Sequence, residues 1–306
     1  MKLIALLLSL LLLLCPFPGH GGIGGPETPT ITVTYQPDYQ YKNLSTGIRI
    51  SYVELGSKRG DPVVLLHGAT DSYVSFSQVG TALANMGYHV YIPELRGHGN
   101  TSKPTGQAYT PGLLAKDIDA WMHQLGLTKA HVVGHSLGSF VAQELAISYK
   151  SRVSSLTLIG SAAKTTGNLA LGWVLEGDDE FPGLIAFGDD IPDEFIVDWT
   201  ASSNYDPAFV TATYKHAKSL PAYVWVNAFS ALEVDNTARL SKIKVPVQII
   251  WGENDDFFPI EDQNELQSAL GSAAAEFIKI AGAGHNTHWE GDSAATIAAE
   301  IGRFID

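Results

Sequence analysis

The sequence contains a single cysteine in 306 residues, Cys15, and this residue lies in an apolar N-terminal stretch. A chain from which that stretch is removed has no disulfide bond and no thiolate that could bind a metal, which excludes the disulfide-stabilised class of small proteins. Lipid attachment at Cys15 is not expected, because Leu14 before it is bulkier than the small residue that lipoprotein processing prefers.

Positive charge is also scarce in this sequence. Lys and Arg number 19 against 32 Asp and Glu, which gives a formal net charge of −13. An acidic surface repels nucleic acid phosphates and anionic lipid head groups. We therefore expect no nucleic acid partner, and no membrane partner for the mature chain.

Long hydrophobic runs are missing as well. The apolar run at residues 3–14 is shorter than the roughly 20 residues that span a bilayer. It follows Lys2 and precedes Gly19 and Gly21, which are small enough for signal cleavage. We predict a signal peptide at residues 1–22 and a secreted or periplasmic mature chain. Two sequons would carry glycans only in a eukaryotic secretory source, Asn43 and Asn100.

Short apolar runs recur along the rest of the chain, at residues 62–66, 88–92, 131–133, 153–159, 245–251 and 277–280. Runs that are apolar on both faces favour buried parallel strands. Helical patterns separate most of these runs, at residues 81–86, 113–125, 140–149, 262–270 and 294–304. Residues 31–35 and 48–55 predict an opening antiparallel pair. This alternation predicts a doubly wound α/β sheet.

The alternation of strands and helices stops at residues 164–240, where helix signals dominate and no strand is predicted. Asp206 and Leu220 each precede a proline that a first helical turn accommodates. We expect a helical insertion at 164–240 and a core domain formed by residues 23–163 and 241–306. The insertion is rich in aromatic residues, most of which should form its own small core, while a few line a pocket.

A GxSxG pentapeptide occupies residues 134–138, between an apolar run and a helical pattern. A serine on such a strand-to-helix turn projects its hydroxyl group, and Gly134 and Gly138 let the backbone pass closely. The N–H of Leu137 lies at the helix start, where it would face an oxyanion that forms near Ser136. Ser136 is therefore the candidate nucleophile.

A serine nucleophile needs a histidine to accept its proton and a carboxylate to orient that histidine. His285 follows the apolar run at 277–280 through a loop of small residues, and Asp255 follows the run at 245–251. Both side chains would thus lie near Ser136 at the carboxyl edge of the sheet. The chain order of serine, aspartate and histidine is that of one class of triad enzymes.

Other histidines and aspartates compete for these roles. His288 is the alternative base, and we expect it to stack on Trp289 or to line a pocket. Asp256 is expected to cap the following segment or face solvent, and Asp235 is a reserve carboxylate. No spacing resembles a metal site, and no cofactor is expected. Packing or loop roles are predicted for two further histidines, His98 and His135.

Five motifs in this order resemble those of the α/β-hydrolase superfamily, in its capped branch of esterases, lactonases, dehalogenases and epoxide hydrolases. They are Leu65-Leu66-His67-Gly68-Ala69, Arg96-Gly97-His98-Gly99, the GxSxG elbow, Gly252-Glu253-Asn254-Asp255, and Gly284-His285 followed by Glu290. The resemblance implies a mostly parallel eight-stranded sheet flanked by helices, with a helical cap at 164–240. It also implies a triad of Ser136, Asp255 and His285, and an oxyanion hole formed by the N–H groups of Ala69 and Leu137.

Ser136 separates this chain from the dehalogenases and epoxide hydrolases of that branch, which have a nucleophilic aspartate there. The resemblance therefore implies a secreted esterase or lactonase, without metal or cofactor, that acts on a small-molecule ester or lactone with apolar or aromatic groups. Two alternatives keep the same triad: a hydrolase of carbon–carbon bonds, and a cofactor-free haloperoxidase or perhydrolase. A third is a ligand-binding receptor with this fold. The sequence indicates no oligomeric state.

Overall fold

The structure, a computed structural model, describes residues 32–107 and 109–306. The predicted signal peptide and Cys15 lie outside the described residues. The strands of this part of the chain are β1 (Gln40–Asn43), β2 (Arg49–Gly56), β3 (Pro62–Leu66), β4 (His89–Pro93), β5 (Ala130–His135), β6 (Val153–Ile159), β7 (Val247–Gly252) and β8 (Ala274–Ile280).

These strands form a single sheet in the order β1-β2-β4-β3-β5-β6-β7-β8 within the described residues. β2 is antiparallel to both β1 and β4, and the remaining neighbours are parallel. Every residue of β4 and β7 is buried, because helices cover both faces of the sheet. The predicted mostly parallel, eight-stranded sheet is confirmed.

The opening antiparallel pair is also confirmed, but the position predicted for its first strand is wrong. The strand that pairs with β2 is Gln40–Asn43, and no strand forms at residues 32–35. Tyr35 packs instead against the helical insertion, where its hydroxyl donates to the Asp206 carboxylate at 2.7 Å and its ring meets Phe209. The alternation at residues 32–35 therefore reflects partial burial of Val33 and Tyr35 outside the sheet.

The helices of the core are α1 (Tyr73–Asn85), α2 (Pro111–Leu125), α3 (Leu137–Ser148), and, later in the chain, α9 (Ile260–Leu270) and α10 (Ser293–Ile305). Thr110 caps α2 by accepting the N–H of Leu113, and Gly126 ends it in the left-handed conformation. α1 begins eight residues before the predicted start at residue 81, with Ser72 as its N-cap. No helix among the described residues is long and apolar enough to cross a membrane.

Five helices lie between β6 and β7: α4 (Leu169–Glu176), α5 (Gly183–Phe187), α6 (Asp193–Trp199), α7 (Pro207–Lys218) and α8 (Ala222–Ser230). Asn168 and Asp206 cap α4 and α7 through their side-chain oxygens. An isolated bridge between Lys164 and Asp235 joins the two ends of this segment, called the insertion below. The helical content predicted for residues 164–240 is therefore present.

The aromatic residues of the insertion pack largely on one another. Phe195 lies at the centre of this cluster, stacked on Phe181 with ring centroids 5.3 Å apart and in edge contact with Trp225 at 5.9 Å. Trp199 continues the cluster towards the core and meets Phe229 edge to face at 5.2 Å. The insertion thus has an aromatic core of its own, as predicted, and Trp199 and Phe229 also face the cavity described next.

Candidate active site

Ser136 lies on the sharp turn between β5 and α3, with φ 48° and ψ −120°. A positive φ is unfavourable for a residue with a Cβ atom and persists only when the surroundings impose it. The N–H of Ser136 donates to the Ile159 carbonyl oxygen at 3.1 Å, which ties the turn to β6. The hydroxyl group is thereby held at the carboxyl edge of the sheet.

The two glycines of the pentapeptide are required by close backbone contacts. A Cβ atom at Gly134 would lie 2.3 Å from the carbonyl oxygen of Gly138, and one at Gly138 would lie 2.1 Å from that of Leu66. Both distances are far shorter than a van der Waals contact. Only glycine therefore allows α3 to begin this close to β3 and β5, which is the requirement predicted from the sequence.

His285 and Asp255 lie on the loops that follow β8 and β7, respectively. The His285 Nδ1 atom is 3.0 Å from both carboxylate oxygens of Asp255. The Asp255 side chain is fully buried, and one of its oxygens accepts the N–H groups of Phe257 and Phe258 at 2.9 and 3.0 Å. These two N–H groups hold the carboxylate in place, and the carboxylate in turn orients the His285 ring.

The rival carboxylates lie elsewhere. Asp256 is exposed, as expected, while Asp235 accepts the N–H of Thr237 at the end of the insertion and does not line the cavity. The rival base His288 is fully buried, and its ring packs against Trp289 with ring centroids 4.8 Å apart. Contact with Trp289 is one of the two positions predicted for it. His288 does not line the cavity. Among the candidates, His285 and Asp255 are the pair that the fold brings together.

Gly160, after β6, was not singled out by the sequence. A Cβ atom there would lie 3.1 Å from two atoms of the His285 ring. Its φ of 52° also favours glycine. Gly160 therefore makes room for the imidazole beside Ser136, and the ring of Phe257 covers it at 4.8 Å.

The predicted oxyanion donors are two backbone N–H groups near Ser136. The N–H of Leu137 is in the first turn of α3, and Ala69 lies on the loop after β3 and lines the same cavity as Ser136. Within the described residues, neither N–H has a hydrogen-bond acceptor. Two free N–H groups beside a serine hydroxyl can stabilise negative charge on a carbonyl oxygen.

His67 holds the loop that carries Ala69. Its Nε2 accepts the N–H of Leu95 at 3.0 Å, and its Nδ1 donates to the Gly68 carbonyl at 2.8 Å. Burial lowers the pKa of His67 well below its usual value, so the ring is neutral and can make both bonds. His98 supports the next residue of the loop, since its Nε2 accepts the N–H of Thr70 at 3.1 Å.

A cavity of about 220 Å³ lies between the carboxyl edge of the sheet and the insertion. Ser136, His285, Ala69 and Phe257 are among the core residues that line it. None of the described residues that line it is lysine or arginine. The insertion contributes Leu171, Asp198, Trp199, Thr200, Ala201, Thr213 and Phe229.

Two cavity residues, Thr70 and Asp71, could not be identified from the sequence as site residues. Thr70 has φ 62°, and its hydroxyl accepts a hydrogen bond from Trp199 Nε1 of the insertion at 2.9 Å. Asp71 next to it is the one buried carboxyl of the cavity wall, and burial raises its pKa to about 8. Their neighbours in space come from β5 and the insertion, which the local sequence does not reveal.

His135 has a packing role, as predicted, and also lines the cavity. Its Nε2 donates to the carbonyl oxygen of His285 at 3.1 Å, and its ring stacks on His288 with centroids 4.3 Å apart. No group of three or more His, Cys, Asp or Glu side chains in residues 32–107 and 109–306 is arranged to hold a metal ion.

The mostly parallel sheet, the strained serine turn and the Asp255–His285 pair on two later loops define an α/β protein with a candidate active site at the carboxyl edge of its sheet. Comparison with known proteins agrees with this class. The family model described as alpha/beta hydrolase fold matches residues 61–292, and the chain belongs to that family.

Several known proteins are similar to most of the chain. Lipase 1 of Psychrobacter immobilis is 26% identical over 251 residues, which cover 79% of this chain and 76% of the lipase. The 2-hydroxy-6-oxononadienedioate/2-hydroxy-6-oxononatrienedioate hydrolase of Paraburkholderia phymatum is 26% identical over 288 residues, which cover 86% of this chain and 94% of that enzyme. A hydrolase from Pseudomonas aeruginosa PA01 has a TM-score of 0.75 at 18% identity, covering 88% of this chain and 98% of that one. This last similarity shows the fold alone.

Proposed function

We propose that the protein is a serine hydrolase that cleaves a carboxylic ester or lactone through an acyl-enzyme on Ser136. One observation carries the proposal: Ser136 and His285 line the same cavity, and Asp255 orients His285 through its Nδ1 atom at 3.0 Å. The similarity to a lipase supports ester chemistry. The proposed catalytic residues are Ser136, Asp255 and His285, and the proposed oxyanion donors are the N–H groups of Ala69 and Leu137.

The geometry suggests how each group acts. The Nδ1–H of His285 donates to Asp255, so that Nε2 is free to accept the Ser136 proton as the oxygen attacks the acyl carbon. The N–H groups of Ala69 and Leu137 stabilise the negative oxygen of the tetrahedral intermediate. The imidazolium then gives its proton to the leaving alkoxide. A water molecule, activated by the same ring, attacks the acyl-enzyme and releases the acid and Ser136.

The cavity wall favours uncharged substrates with apolar or aromatic groups. Trp199, Phe229, Phe257 and Trp289 line it, and none of its described residues is lysine or arginine. A dianionic substrate, such as the one that the name of the Paraburkholderia enzyme indicates, would meet no lysine or arginine in this cavity. We therefore rank carbon–carbon bond hydrolysis below ester hydrolysis, although the similarity to that enzyme covers nearly its whole length.

We propose that residues 1–22 are a signal peptide and that the mature chain is secreted or periplasmic. We further propose that residues 164–240 act as a cap that closes the cavity over the core formed by 23–163 and 241–306. Asn204 of the insertion supports this division, since it donates to the Trp289 carbonyl of the core at 2.6 Å.

Fluorophosphonate labelling and hydrolysis of p-nitrophenyl acetate and butyrate test the proposal. Wild type should be labelled once, at Ser136, and should hydrolyse the esters, while Ser136→Ala should be neither labelled nor active. A folded wild type that is inert to the label and the esters, or a mutant that is equally active, would overturn it. Turnover of a 2-hydroxy-6-oxo-dienedioate in preference to esters would instead assign carbon–carbon bond cleavage.

A further inference from the structure

Asp71 is a carboxyl group in the cavity wall that the proposed mechanism does not use. Its side chain is only 10% exposed, and it lies on the loop between β3 and α1. A Cβ atom at Gly68 would lie 3.0 Å from Asp71 Oδ2, and His135 Nδ1 lies 4.0 Å from the same oxygen. Gly68 precedes the oxyanion donor Ala69, and His135 precedes Ser136. The carboxyl group thus lies close to the residues that adjoin Ala69 and Ser136, and it lines the same cavity as these two residues.

No lysine or arginine among the described residues forms an ion pair with Asp71. The ionisable group that lies within 4.0 Å of its carboxyl group is His135, whose pKa is held well below its usual value by burial and by the neighbouring rings of His288 and His285. The Nε2–H of His135 donates to the His285 carbonyl, so its Nδ1 carries a lone pair and has no hydrogen-bond partner. The ring therefore offers Asp71 no positive charge.

The other groups around Asp71 do not favour its charged form enough to ionise it. Asp198, across the same cavity, is itself acidic. The N–H of Gly68 favours the charged form and partly offsets the effect of burial. The N-terminus of α1 acts in the same direction. Burial nevertheless raises the pKa of Asp71 to about 8, so the group keeps its proton at neutral pH.

We propose that Asp71 is a specificity-determining residue that donates a hydrogen bond, from its uncharged carboxyl group, to an oxygen atom of the substrate close to the scissile carbonyl. This inference rests on the proposed function. The substrates it selects are esters and lactones with an ether, keto or hydroxyl oxygen on the carbon next to the acyl carbon, two bonds from the acyl carbon. A buried polar group left without this partner discriminates against the purely aliphatic analogue.

An isosteric pair of ethyl esters tests the selection. Ethyl methoxyacetate and ethyl butyrate differ by an ether oxygen in place of a methylene group, and a pH-stat follows the hydrolysis of both. The readout is kcat/KM for ethyl methoxyacetate divided by kcat/KM for ethyl butyrate, a ratio in which a general loss of activity cancels. At pH 7 this ratio should fall about tenfold in Asp71→Leu relative to wild type. In Asp71→Asn it should stay within about threefold of wild type, since the amide keeps an N–H donor.

The dependence on pH separates hydrogen-bond donation from a structural role. The wild-type ratio should fall above pH 8, where Asp71 loses its proton, and the Asp71→Asn ratio should not change there. Equal ratios in an active wild type and in Asp71→Leu would overturn this inference alone. An inactive wild type with both esters and with a simple lactone would overturn the proposed function, and this inference with it.

A measurement without substrate checks the state of the carboxyl group. The folded chain holds a proton on Asp71 up to about pH 8, whereas the unfolded chain releases it near pH 4. The urea midpoint of wild type should therefore fall relative to that of Asp71→Asn as the pH rises from 5 to 8, and the difference should then level off. A difference that does not change with pH would mean a charged Asp71 and would overturn the inference.

Discussion

At the scale of the residue, the backbone of Ser136 is strained, so a substitution there can change the stability of the protein independently of its proposed activity. The turn holds a non-glycine residue at φ 48° and ψ −120°, which costs on the order of 1–3 kcal/mol. The bond from its N–H to Ile159 and the contacts of Gly134 and Gly138 impose this conformation. The surrounding sheet thus stabilises a turn that the serine alone would avoid.

Ser136→Gly and Ser136→Ala should both be inactive, but they should differ in stability. Glycine relieves the strain, and part of the gain, about 1 kcal/mol, is lost to its greater freedom in the unfolded chain. We expect Ser136→Gly to have a free energy of unfolding about 1 kcal/mol above that of Ser136→Ala, as measured by urea denaturation. Equal stabilities would mean that the turn is not strained.

Asp255 and Asp256 provide a matched pair of substitutions. Asp255→Asn should lower kcat on the order of 10³- to 10⁴-fold on p-nitrophenyl butyrate, with little change in KM, because the amide no longer fixes the orientation and tautomer of His285. Asp256→Asn, one residue away and exposed, should change kcat by less than about twofold. A similar loss in both variants would argue against the role proposed for Asp255.

At the scale of the element, a hydrogen bond between Trp199 and Thr70 joins the insertion to the loop after β3. Trp199 at the end of α6 donates to the hydroxyl of Thr70, whose own φ is 62°. Thr70 adjoins Ala69 on one side and Asp71 on the other. The position of the insertion and the shape of the loop after β3 are therefore linked.

A double-mutant cycle should measure this link. Trp199→Phe and Thr70→Val each remove one partner of the bond and keep most of the shape. We expect both to raise KM for p-nitrophenyl butyrate, with a coupling of about 0.5–1.5 kcal/mol in kcat/KM between them. Strictly additive effects would show that the bond does not support the substrate site.

The sequence predicts the helices and strands well where apolar residues follow a clear pattern. It misses a helix segment where almost every residue is buried, because the pattern is then absent. β3 and α2 match their predicted runs closely. The first half of α1 was missed because it is buried on nearly every side, with serine and glycine at its packing positions. A Cβ atom at Gly80, for example, would lie 2.7 Å from Ile92. Such a helix has no amphipathic period to detect.

At the scale of the whole molecule, buried neutral histidines connect stability to pH. Burial lowers the pKa of His98 to about 4 and that of His288 to about 3, and it lowers those of His67 and His135 as well. Below pH 6.5 the unfolded chain binds protons at these side chains that the folded chain does not bind. The contribution of these four histidines to stability is therefore complete above pH 6.5 and is lost as the pH decreases.

His288→Phe should isolate one of these contributions. Each of these four histidines should lower the free energy of unfolding by about 1.4 kcal/mol per pH unit between pH 6.5 and its folded pKa. Neither ring nitrogen of His288 has a partner, and the ring packs on Phe76, His135 and Trp289, so phenylalanine suits the site. Urea unfolding at pH 4.5 to 6.5 should show a slope smaller by that amount. An unchanged slope would mean that His288 is charged in the folded chain.

The sequence also indicated the residues of the candidate site better than it indicated their surroundings. Ser136, Asp255 and His285 each follow a strand, and the ends of parallel strands meet at one edge, so their proximity follows from the order of elements. The raised pKa of Asp71 depends instead on what covers it in three dimensions. No local pattern around residue 71 encodes that burial.

The bridge between Lys164 and Asp235 has a practical consequence for redesign. Because the two ends of the insertion already meet there, and Asn236 donates to the Ala163 carbonyl at 3.0 Å, the chain between them could be replaced by a tight turn without stretching β6 or β7. In such a shortened protein the cavity would lose the side of its wall that the insertion supplies, and it would become an open groove. We expect this protein to select less strongly among small molecules and to admit long polymers. The insertion could equally be exchanged for another segment between the same two ends.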